Sequence, residues 1–523
     1  MLTEISIENF KSWKATGPIR LAPLTIFCGT NSSGKSSIAQ FLLMLKQTVE
    51  SYDRQRVLHT GDSASMVDLG NWHDIVYNHD ESKAITFSMN FEDVNGLGFT
   101  DAINEKAYGP FNQVRFHAKV EYDRNLKRIV LDHFFYNLPT GNIQDSENKD
   151  IRLGLKIKDA GKNQYELIAE GYKAIRQQGR PGVLPHPENF FGFPGEAMAY
   201  YQNTGFLTDF SLSIKNLFKS VFYLGPLREY PERFYQFSGE MPLDVGTRGR
   251  LSVNAMLAAR DRFISRGRRK KSEAFQMLIA RWLKTMKLIE DFRLSPIAEG
   301  RKEYEVRIRV QKGAPEVLIT DVGFGISQVL PVLVQCFYVP SNSTILFEQP
   351  EIHLHPSVQA YLADMFIESI HAFENSKPRN TQLIIESHSE HLIRRLQRKI
   401  AEEELRPEEV AIYFINQNKG ISTIEALEID EFGNIQNWPD NFFGDELDDL
   451  TAMTLKGIER KRKISEDGMH TSILNSNCRR SGATKGYLQH RAKIVRADFI
   501  QTIDTHWMHK KIEQNTVLTR TKI

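Results

Sequence analysis

The segment Gly29–Ser36 reads GTNSSGKS and has the residue types that proteins use to hold phosphate groups. Glycines let backbone N–H groups turn inward, the lysine brings a positive charge, and the last serine offers a hydroxyl to Mg²⁺. The apolar run LTIFCG precedes this segment, and helical spacing follows it. This order of strand, loop and helix predicts a site for ATP and Mg²⁺ rather than a simple helix cap. The residues expected to bind the nucleotide are Gly29, Asn31, Ser32, Ser33, Gly34, Lys35, Ser36 and Ser37, with Ser36 also a metal ligand.

Three later segments also place polar residues directly after apolar runs. They read DVGFGISQVLPVLVQ (321–335), ILFEQPEIHLHP (345–356) and QLIIESHSEHLI (382–393). Together with IENFKSW near the N-terminus, they resemble the signature, Walker B and switch-histidine segments of the ABC-type ATPases related to RecF, SMC proteins and OLD-family ATPases. The resemblance extends over about 1–443. Two further segments, FYLGPLREYP and IDEFGNIQNWPDNFF, are similar to a bacterial subgroup of these ATPases.

The resemblance implies a role for each polar residue after the strand TILFE. Glu348 matches the Walker B acid and is expected to hold Mg²⁺ directly or through water. Gln349 matches the position of the catalytic base, but a neutral amide orients water without accepting its proton. Slow hydrolysis is therefore expected. Either Glu351 supplies the missing carboxylate, His388 contacts the γ-phosphate as the switch histidine of the family does, or the protein binds ATP and hardly hydrolyses it.

The segment GFGISQ matches the family signature, although its wording departs from the usual LSGGQ. A helix that begins near Ser327, after two glycines, would offer free N–H groups and a hydroxyl to an anion. In the resembling family that anion is the γ-phosphate held by a second subunit, so an ATP-dependent homodimer is implied. The signature residues expected to bind nucleotide are Gly325, Ser327 and Gln328. The alternative is a flexible turn between a strand and a helix.

Four histidines, His353, His355, His388 and His391, allow a zinc site to be considered. No cysteine or further carboxylate has regular ligand spacing around them, and HLHP follows the acid as the D-loop does in the resembling family. A metal site of this kind is therefore the weaker interpretation.

The elements that must position these residues come from distant parts of the chain. Alternating runs between residues 84 and 170 predict an antiparallel β meander, residues 190–292 are mostly of helical pattern, and apolar strands with intervening helices follow. We expect an α/β fold, an ABC-type ATPase head with an antiparallel meander, a helical insertion and a basic C-terminal tail. The predicted units are head lobe I over 1–137, a partly helical insertion over 138–301, head lobe II over 302–443 and the tail over 444–523.

Composition limits where this chain is expected to work. No run of about 18 apolar residues occurs and the N-terminus lacks a signal-peptide pattern, so a cytoplasmic protein without a membrane segment is expected. Cys28, Cys336 and Cys478 are far apart and form no CxxC pair, and the first two are expected in the core. The net charge of +2 conceals a basic tail, because fifteen basic and six acidic residues follow residue 450.

Basic segments raise the question of nucleic acid. RDRFISRGRRKKSE (260–273) and the tail have the charge to follow a phosphate backbone, although a charge run is more often a solvated surface. EALEIDEFGNIQNWPD has acids but not the arrangement of an OLD-type Toprim nuclease. The resemblance therefore implies an ATPase that controls a nucleic-acid-directed effector, with a separate nuclease in bacterial antiviral defence, as in Septu-like systems. The alternatives are a RecF-like DNA repair ATPase and a non-hydrolysing scaffold that needs ATP only as a structural ligand.

Overall fold

We analysed a computed structural model of the chain, which describes residues 1–139, 150–268, 270–439 and 452–460. Two compact units are separated at residue 442, Met1–Phe442 and Phe443–Ile523. The first contains every strand and helix named below. In the second, the structure describes a helix over 452–460, and the rest of the predicted basic tail lies outside the described residues.

The strands of the first unit are β1 Leu2–Phe10, β2 Trp13–Ala15, β3 Ile19–Arg20, β4 Leu24–Gly29, β5 Ile85–Thr100, β6 Ala107–Asp123, β7 Arg128–Leu138, β8 Ile151–Asp159, β9 Gln164–Glu170, β10 Val221–Leu224, β11 Tyr235–Gln236, β12 Phe263–Ser265, β13 Ser272–Ala274, β14 Asp291–Pro296, β15 Glu303–Arg309, β16 Val317–Leu318, β17 Thr344–Glu348, β18 Phe373–Glu374, β19 Lys377–Pro378, β20 Gln382–Glu386, β21 Val410–Asn418 and β22 Ile421–Ala426. The α-helices are α1 Lys35–Val49, α2 Trp72–Ile75, α3 Gly195–Tyr200, α4 Leu207–Lys219, α5 Ser252–Ala258, α6 Phe275–Thr285, α7 Phe324–Tyr338, α8 Pro356–Ile370 and α9 Glu390–Ala401.

A six-stranded sheet in the order β10-β17-β20-β4-β21-β22 carries the predicted site segments. Its first five strands are parallel, and β22 returns along β21 as a hairpin. Strands β17 and β20 are apolar and buried almost throughout, as expected for parallel strands covered on both faces. The order reverses at β4, with β20 on one side and β21 on the other. A ligand crevice is expected at the carboxyl end of such a strand, which is where the glycine-rich loop begins.

The predicted meander is an eight-stranded antiparallel sheet in which β1 pairs with β5 and the chain then runs through β6, β7, β8 and β9 in order. Helix α1 packs against it, because Phe41 makes edge-to-face ring contacts with Phe10 and with Phe87. Residues of both sheets, such as Met89 and Ile384, belong to one buried core. The β meander continues to Glu170, as the alternating runs between residues 84 and 170 predict, and so it crosses the end of head lobe I predicted at residue 137.

The segment 138–301, predicted to be a partly helical insertion, contains short helices and several strands. One of them, β10, is an edge strand of the six-stranded sheet and pairs with β17. The mostly helical pattern predicted over 190–292 is interrupted around RGRRKK, where β12 and β13 form a hairpin between α5 and α6. The basic residues therefore lie at a hairpin turn, where Arg268 and Lys270 are exposed.

Helix α7, which carries the predicted signature, is fixed at its C-terminal end by two arginines. Arg379 is fully buried and donates to the carbonyls of Phe337 and, at 2.5 Å, Val339. Arg262 donates to the carbonyl of Tyr338 at 2.5 Å. A single carboxylate joins the two guanidinium groups: Glu374 accepts two hydrogen bonds from Arg262 at 2.8 and 2.9 Å and lies 3.9 Å from Arg379. Cations at this end also complement the helix dipole.

Two predictions about composition can be compared with the structure. Cys28 and Cys336 are buried free thiols, which confirms their expected place in the core, while Cys478 lies outside the described residues. Among the described residues, no helix is long and apolar enough to cross a membrane.

Candidate nucleotide-binding site

The loop between β4 and α1 adopts a backbone conformation that requires glycine at two positions. At Gly29, with φ of 142°, an added Cβ would lie 1.9 Å from the carbonyl oxygen of Ile415 on β21. At Gly34, with φ of 99°, it would lie 2.7 Å from the hydroxyls of Ser12 and Ser422. The Ser422 hydroxyl also donates to the carbonyl of Ser33 at 2.6 Å. The loop is thus held against β21, β22 and the turn between β1 and β2.

Lys35, the first residue of α1, is buried and turned into the loop. Its ammonium group donates to the carbonyls of Gly29 at 3.2 Å and Thr30 at 2.6 Å. Burial lowers the pKa of Lys35, and the nearby Glu386 carboxylate opposes that shift. The ammonium group therefore has two backbone carbonyls and one nearby carboxylate as neighbours, and a bound phosphate can take the place of the carbonyls.

One open pocket combines the loop with segments that lie far from it in sequence. Gln349 and His388, two of the predicted catalytic residues, line this pocket with the loop. The full lining is Lys11, Ser12, Asn31, Ser32, Ser33, Gly34, Lys35, Ser36, Ser37, Gln40, Gln349, Glu386 and His388. Four of these, Lys11, Ser12, Gln40 and Glu386, were not predicted as site residues. The segment IENFKSW was recognised, but the pattern did not show that its lysine and serine reach the phosphate loop.

Two carboxylates lie side by side at the carboxyl ends of adjacent strands. Glu348 of β17 and Glu386 of β20 are partners in the parallel register. Burial and, next, the Glu386 carboxylate raise the pKa of Glu348 to about 7, against the opposing effect of a hydrogen bond with Tyr223 of β10. Burial also raises the pKa of Glu386, while Ser36 as a hydrogen-bond partner and the Lys35 cation lower it.

These groups are suited to Mg²⁺, a hard cation that takes oxygen ligands in proteins. The Ser36 hydroxyl and the two carboxylates provide such oxygens, and the buried Oε2 atom of Glu386 has no short hydrogen bond within the described part of the chain. Mg²⁺ supplies positive charge that bridges and neutralises the β- and γ-phosphates of ATP. Ser36, Glu348 and Glu386 are the residues that would hold it.

Gln349 and Glu351 face different surroundings. Gln349 has a left-handed backbone, with φ of 44°, and donates its N–H to the carbonyl of Glu386 at 2.8 Å. Glu351 is buried and accepts a hydrogen bond from the backbone N–H of His388 at 2.6 Å. It is absent from the residues that line the pocket within the described chain. Its position is therefore that of a support for the switch-histidine turn.

His388 itself is exposed at the pocket, where burial of part of its ring and the Lys35 cation lower its pKa. The other histidines of the zinc alternative have separate surroundings. His355 is the N-cap of α8, where its ring nitrogen accepts from the backbone N–H of Ser357. His391 is exposed on α9.

Behind Glu351 lies a buried cation that the sequence did not single out. Arg228 is 6% exposed, and none of its guanidinium nitrogens has a hydrogen-bond partner among the described residues. Burial lowers its pKa to about 10, and the Glu351 carboxylate is the main charge that opposes the shift. The segment GPLREYP, which follows β10, was noted only as part of the resemblance.

The signature helix begins earlier than predicted. Helix α7 starts at Phe324, so Ser327 lies inside its first turn rather than at its start. The reason is that Gly323 already has the extended backbone of an N-cap, and the turn after it is helical. Ser327 and Gln328 are buried within the single chain, at 8% and 1% exposure. Gly325 is more exposed than these two residues. A Cβ atom added to it would lie 3.9 Å from a methyl group of Leu354, its nearest neighbour.

Residues 24–394 match the sequence family described as "AAA domain, putative AbiEii toxin, Type IV TA system". The chain belongs to this family. Residues 405–453 match a second family, described as a protein of unknown function (DUF3696). No curated protein matches the chain. The family match covers the phosphate loop, the signature helix and both carboxylate strands. The match to an AAA domain confirms the predicted P-loop ATPase, and the sheets and helices confirm the predicted α/β fold class.

Solved structures of SMC heads are also similar to this AAA-family chain. The SMC head bound to the C-terminal winged-helix domain of ScpA is 12% identical, with 82% of this chain and 98% of that chain covered and a TM-score of 0.37. The SMC head domain from Thermotoga maritima is 11% identical, with 82% and 99% covered and a TM-score of 0.36. The Smc head with an extended coiled coil, bound to the C-terminal domain of ScpA from Pyrococcus furiosus, is 12% identical, with 82% and 96% covered and a TM-score of 0.38.

Proposed function

We propose that this ATPase binds ATP with Mg²⁺ in the pocket of the phosphate loop, hydrolyses it slowly, and forms an ATP-dependent homodimer that controls a separate effector. The observation that carries the proposal is the composition of that pocket. It joins the phosphate loop to an amide at Gln349, a histidine at His388 and a carboxylate at Glu386. Binding groups for phosphate and metal are present there, while the position of the base carries an amide.

Slow hydrolysis follows from the chemistry of an amide. The Gln349 side chain can donate to or accept from a water molecule, but it does not take up the proton that the water loses on attack. One oxygen of the Glu351 carboxylate accepts from the backbone N–H of His388, and Glu351 is not among the described residues that line the pocket. Slow hydrolysis would keep ATP bound for a long time, and the ATP-bound form would then be the form that controls the effector.

Dimerisation is proposed through the N-terminal turn of α7. The first four N–H groups of a helix have no partner within the helix, and its positive dipole end favours an anion. Gly325 in this turn is partly exposed and lacks a side chain that would block a phosphate. A γ-phosphate held by the loop of one copy can therefore be bound by α7 of the other, so that ATP joins the two.

The proposed effector is a nuclease encoded separately, and the proposed setting is bacterial antiviral defence. The family description names a toxin of a type IV toxin–antitoxin system, which supports a role in control of an effector. Exposed apolar side chains in the loops after β10, among them Leu227, Tyr230 and Leu243, offer a surface to a partner protein. A RecF-like DNA repair ATPase is the second candidate, favoured by the exposed basic hairpin between β12 and β13.

The test of ATP binding compares two lysine variants. Lys35→Ala removes the point charge at the β- and γ-phosphates and is expected to abolish the binding of a fluorescent ATP analogue or weaken it severely. Lys14→Ala removes an exposed lysine outside the pocket and is expected to bind as the wild type does. Equal affinity of the wild type and Lys35→Ala would contradict the proposal.

A gene neighbourhood rich in replication genes, without a nuclease gene, would favour the repair function instead.

A further inference from the structure

We infer that Glu386, rather than the Walker B residue Glu348, is the principal carboxylate that holds the metal of bound Mg·ATP in this protein. The inference rests on the proposed binding of ATP and Mg²⁺ at the phosphate loop. It assigns the role of metal ligand to Glu386, a residue that belongs neither to the phosphate loop nor to the Walker B segment.

The position of β20 brings Glu386 closer to the loop than Glu348. β20 lies between β4, which leads into the loop, and β17, which ends in Glu348. Glu386 is paired in register with Phe27 of β4 on one side and with Glu348 on the other. Among the described residues, those that line the loop pocket include Glu386 but not Glu348.

Glu386 also lies close to Ser36, the serine that is expected to bind Mg²⁺. Ser36 and Glu386 line the same pocket, and the Ser36 hydroxyl and the Lys35 cation lie near enough to lower the pKa of this carboxylate. The side chain is 7% exposed, and its Oε2 atom is buried without a short hydrogen bond among the described residues. A buried carboxylate oxygen that is not fully satisfied is costly unless a cation or donor completes its surroundings.

Glu348, in contrast, has a partner on the opposite side. Its carboxylate forms a hydrogen bond with the hydroxyl of Tyr223 on β10, the strand farther from the loop. Tyr223 therefore lies on the side of β17 that faces away from β20 and the phosphate loop. Mg²⁺ is commonly bound through one or two carboxylates together with phosphate oxygens and waters. In this arrangement Glu386 is the carboxylate nearer the phosphate loop, and Glu348 lies one strand farther away.

A different role for Glu386 would be that of the missing base. Its neighbours argue against that role, because Ser36 and Lys35 both belong to the part of the loop that holds the metal and the β- and γ-phosphates. A base would affect hydrolysis without changing how strongly Mg²⁺ promotes binding. The two roles therefore differ in a binding measurement that needs no hydrolysis.

The experiment titrates a fluorescent, non-hydrolysable ATP analogue into Glu386→Gln and Glu348→Gln, once with Mg²⁺ and once with EDTA. The gain in affinity that Mg²⁺ gives the wild type is expected to fall by about 10–100-fold in Glu386→Gln, and by less in Glu348→Gln. With EDTA, Glu386→Gln is expected to bind at least as well as the wild type, because a negative charge beside the phosphates is gone. Electron paramagnetic resonance of Mn²⁺ with the analogue counts the bound metal directly.

Glu386→Asp keeps the carboxylate and is expected to recover part of the gain, which separates metal binding from damage to the fold. A full Mg²⁺ effect in Glu386→Gln, or a larger loss in Glu348→Gln, would overturn the inference and leave ATP binding at the loop intact. Absence of binding by the wild type in both solutions would overturn the proposed function and the inference together. Loss of hydrolysis alone in Glu386→Gln would point to the base and also overturn it.

Discussion

At the scale of single residues, the chemistry of the pocket depends on the amide of Gln349, which lines it, and on the carboxylate of Glu351, which contacts the backbone of His388 instead. Gln349 has an unfavourable left-handed backbone for a residue other than glycine. The hydrogen bond from its N–H to the carbonyl of Glu386 holds this conformation, and Gln349 lines the pocket. The chain thus keeps the turn at this position while the carboxylate is replaced by an amide.

Gln349→Glu is expected to speed ATP hydrolysis, since a carboxylate at this position can accept the proton of the attacking water. The gain is on the order of 10²–10⁴-fold if proton transfer limits the rate. Phosphate release per molecule at saturating ATP, with binding measured separately, is the measurement. Rapid hydrolysis by the wild type, with no gain in the variant, would show that another group acts as the base.

Glu351→Gln distinguishes a base from a support. An amide oxygen at this position can still accept from the N–H of His388, so a supporting residue predicts turnover within a few-fold of the wild type. A residue that served as the base would lose nearly all residual hydrolysis on the same change. The same phosphate-release assay decides, and a melting curve checks that the buried amide beside Arg228 is tolerated.

At the scale of elements, α7 is the helix whose two ends have different tasks. Its N-terminal turn is the proposed contact with a second copy, and its C-terminal carbonyls are held by Arg262 and Arg379. The pair of arginines shares one carboxylate, Glu374. A helix fixed in this way presents its free end in a defined direction.

Arg379→Met is expected to destabilise the fold by about 3–5 kcal/mol, because it leaves the carbonyls of Phe337 and Val339 without their buried donor and removes one of the two cations beside Glu374. Denaturant unfolding measures the change. Arg398→Met is the matched control: its guanidinium is 62% exposed and pairs with Glu402 on the surface, so a loss of about 1 kcal/mol or less is expected. Similar losses in the two variants would remove the special role of the buried arginine.

Gly325→Glu is expected to prevent ATP-dependent association and to leave ATP binding by the single chain unchanged. The new carboxylate would repel a phosphate at the start of α7, where an anion is otherwise favoured. Gly325→Ala adds only a methyl group at ordinary contact distance from Leu354, so it is expected to associate normally. Light scattering with and without ATP gives the result, and association by Gly325→Glu would place the contact elsewhere.

The sequence predicted the elements whose patterns are local. The strand, loop and helix around Lys35 and the alternating strands of the meander follow from residue type and period alone. Arg228 and Glu386 were missed because their importance lies in contacts between distant strands, which no local spacing reveals. The hairpin of β12 and β13 does not show in the pattern, because its apolar neighbours in α5 and α6 have helical periodicity and the whole stretch is mostly of helical pattern.

At the scale of the whole molecule, the first unit carries a basic hairpin turn whose residues do not line the nucleotide pocket within the described chain. The hairpin turn presents Arg266, Arg268, Lys270 and Lys271 as exposed cations. Four cations on one short turn are suited to contact successive phosphates of a nucleic acid. This surface belongs to the first unit, so it can be tested without reference to the basic tail.

Replacing these four cations by glutamine is expected to weaken DNA binding about equally across sequences and to flatten its dependence on salt. Each lost phosphate contact reduces the slope of log affinity against log salt by about one. Gel shifts at several salt concentrations measure both effects. Arg124→Gln with Lys127→Gln removes exposed cations from another hairpin turn and serves as the control. An unchanged slope in the fourfold variant would make the hairpin an ordinary solvated surface.

The strand order has a consequence for how this protein is made. β4 emerges early from the ribosome, but its two neighbours, β20 and β21, are synthesised more than 350 residues later. At ordinary rates of translation that delay is on the order of tens of seconds. The meander can pair in the order in which it is made, whereas the wall of Ile415 that shapes Gly29 does not yet exist. A chain that ends before β21 lacks the strand that packs against Gly29, so it is expected to bind ATP more weakly than the full chain.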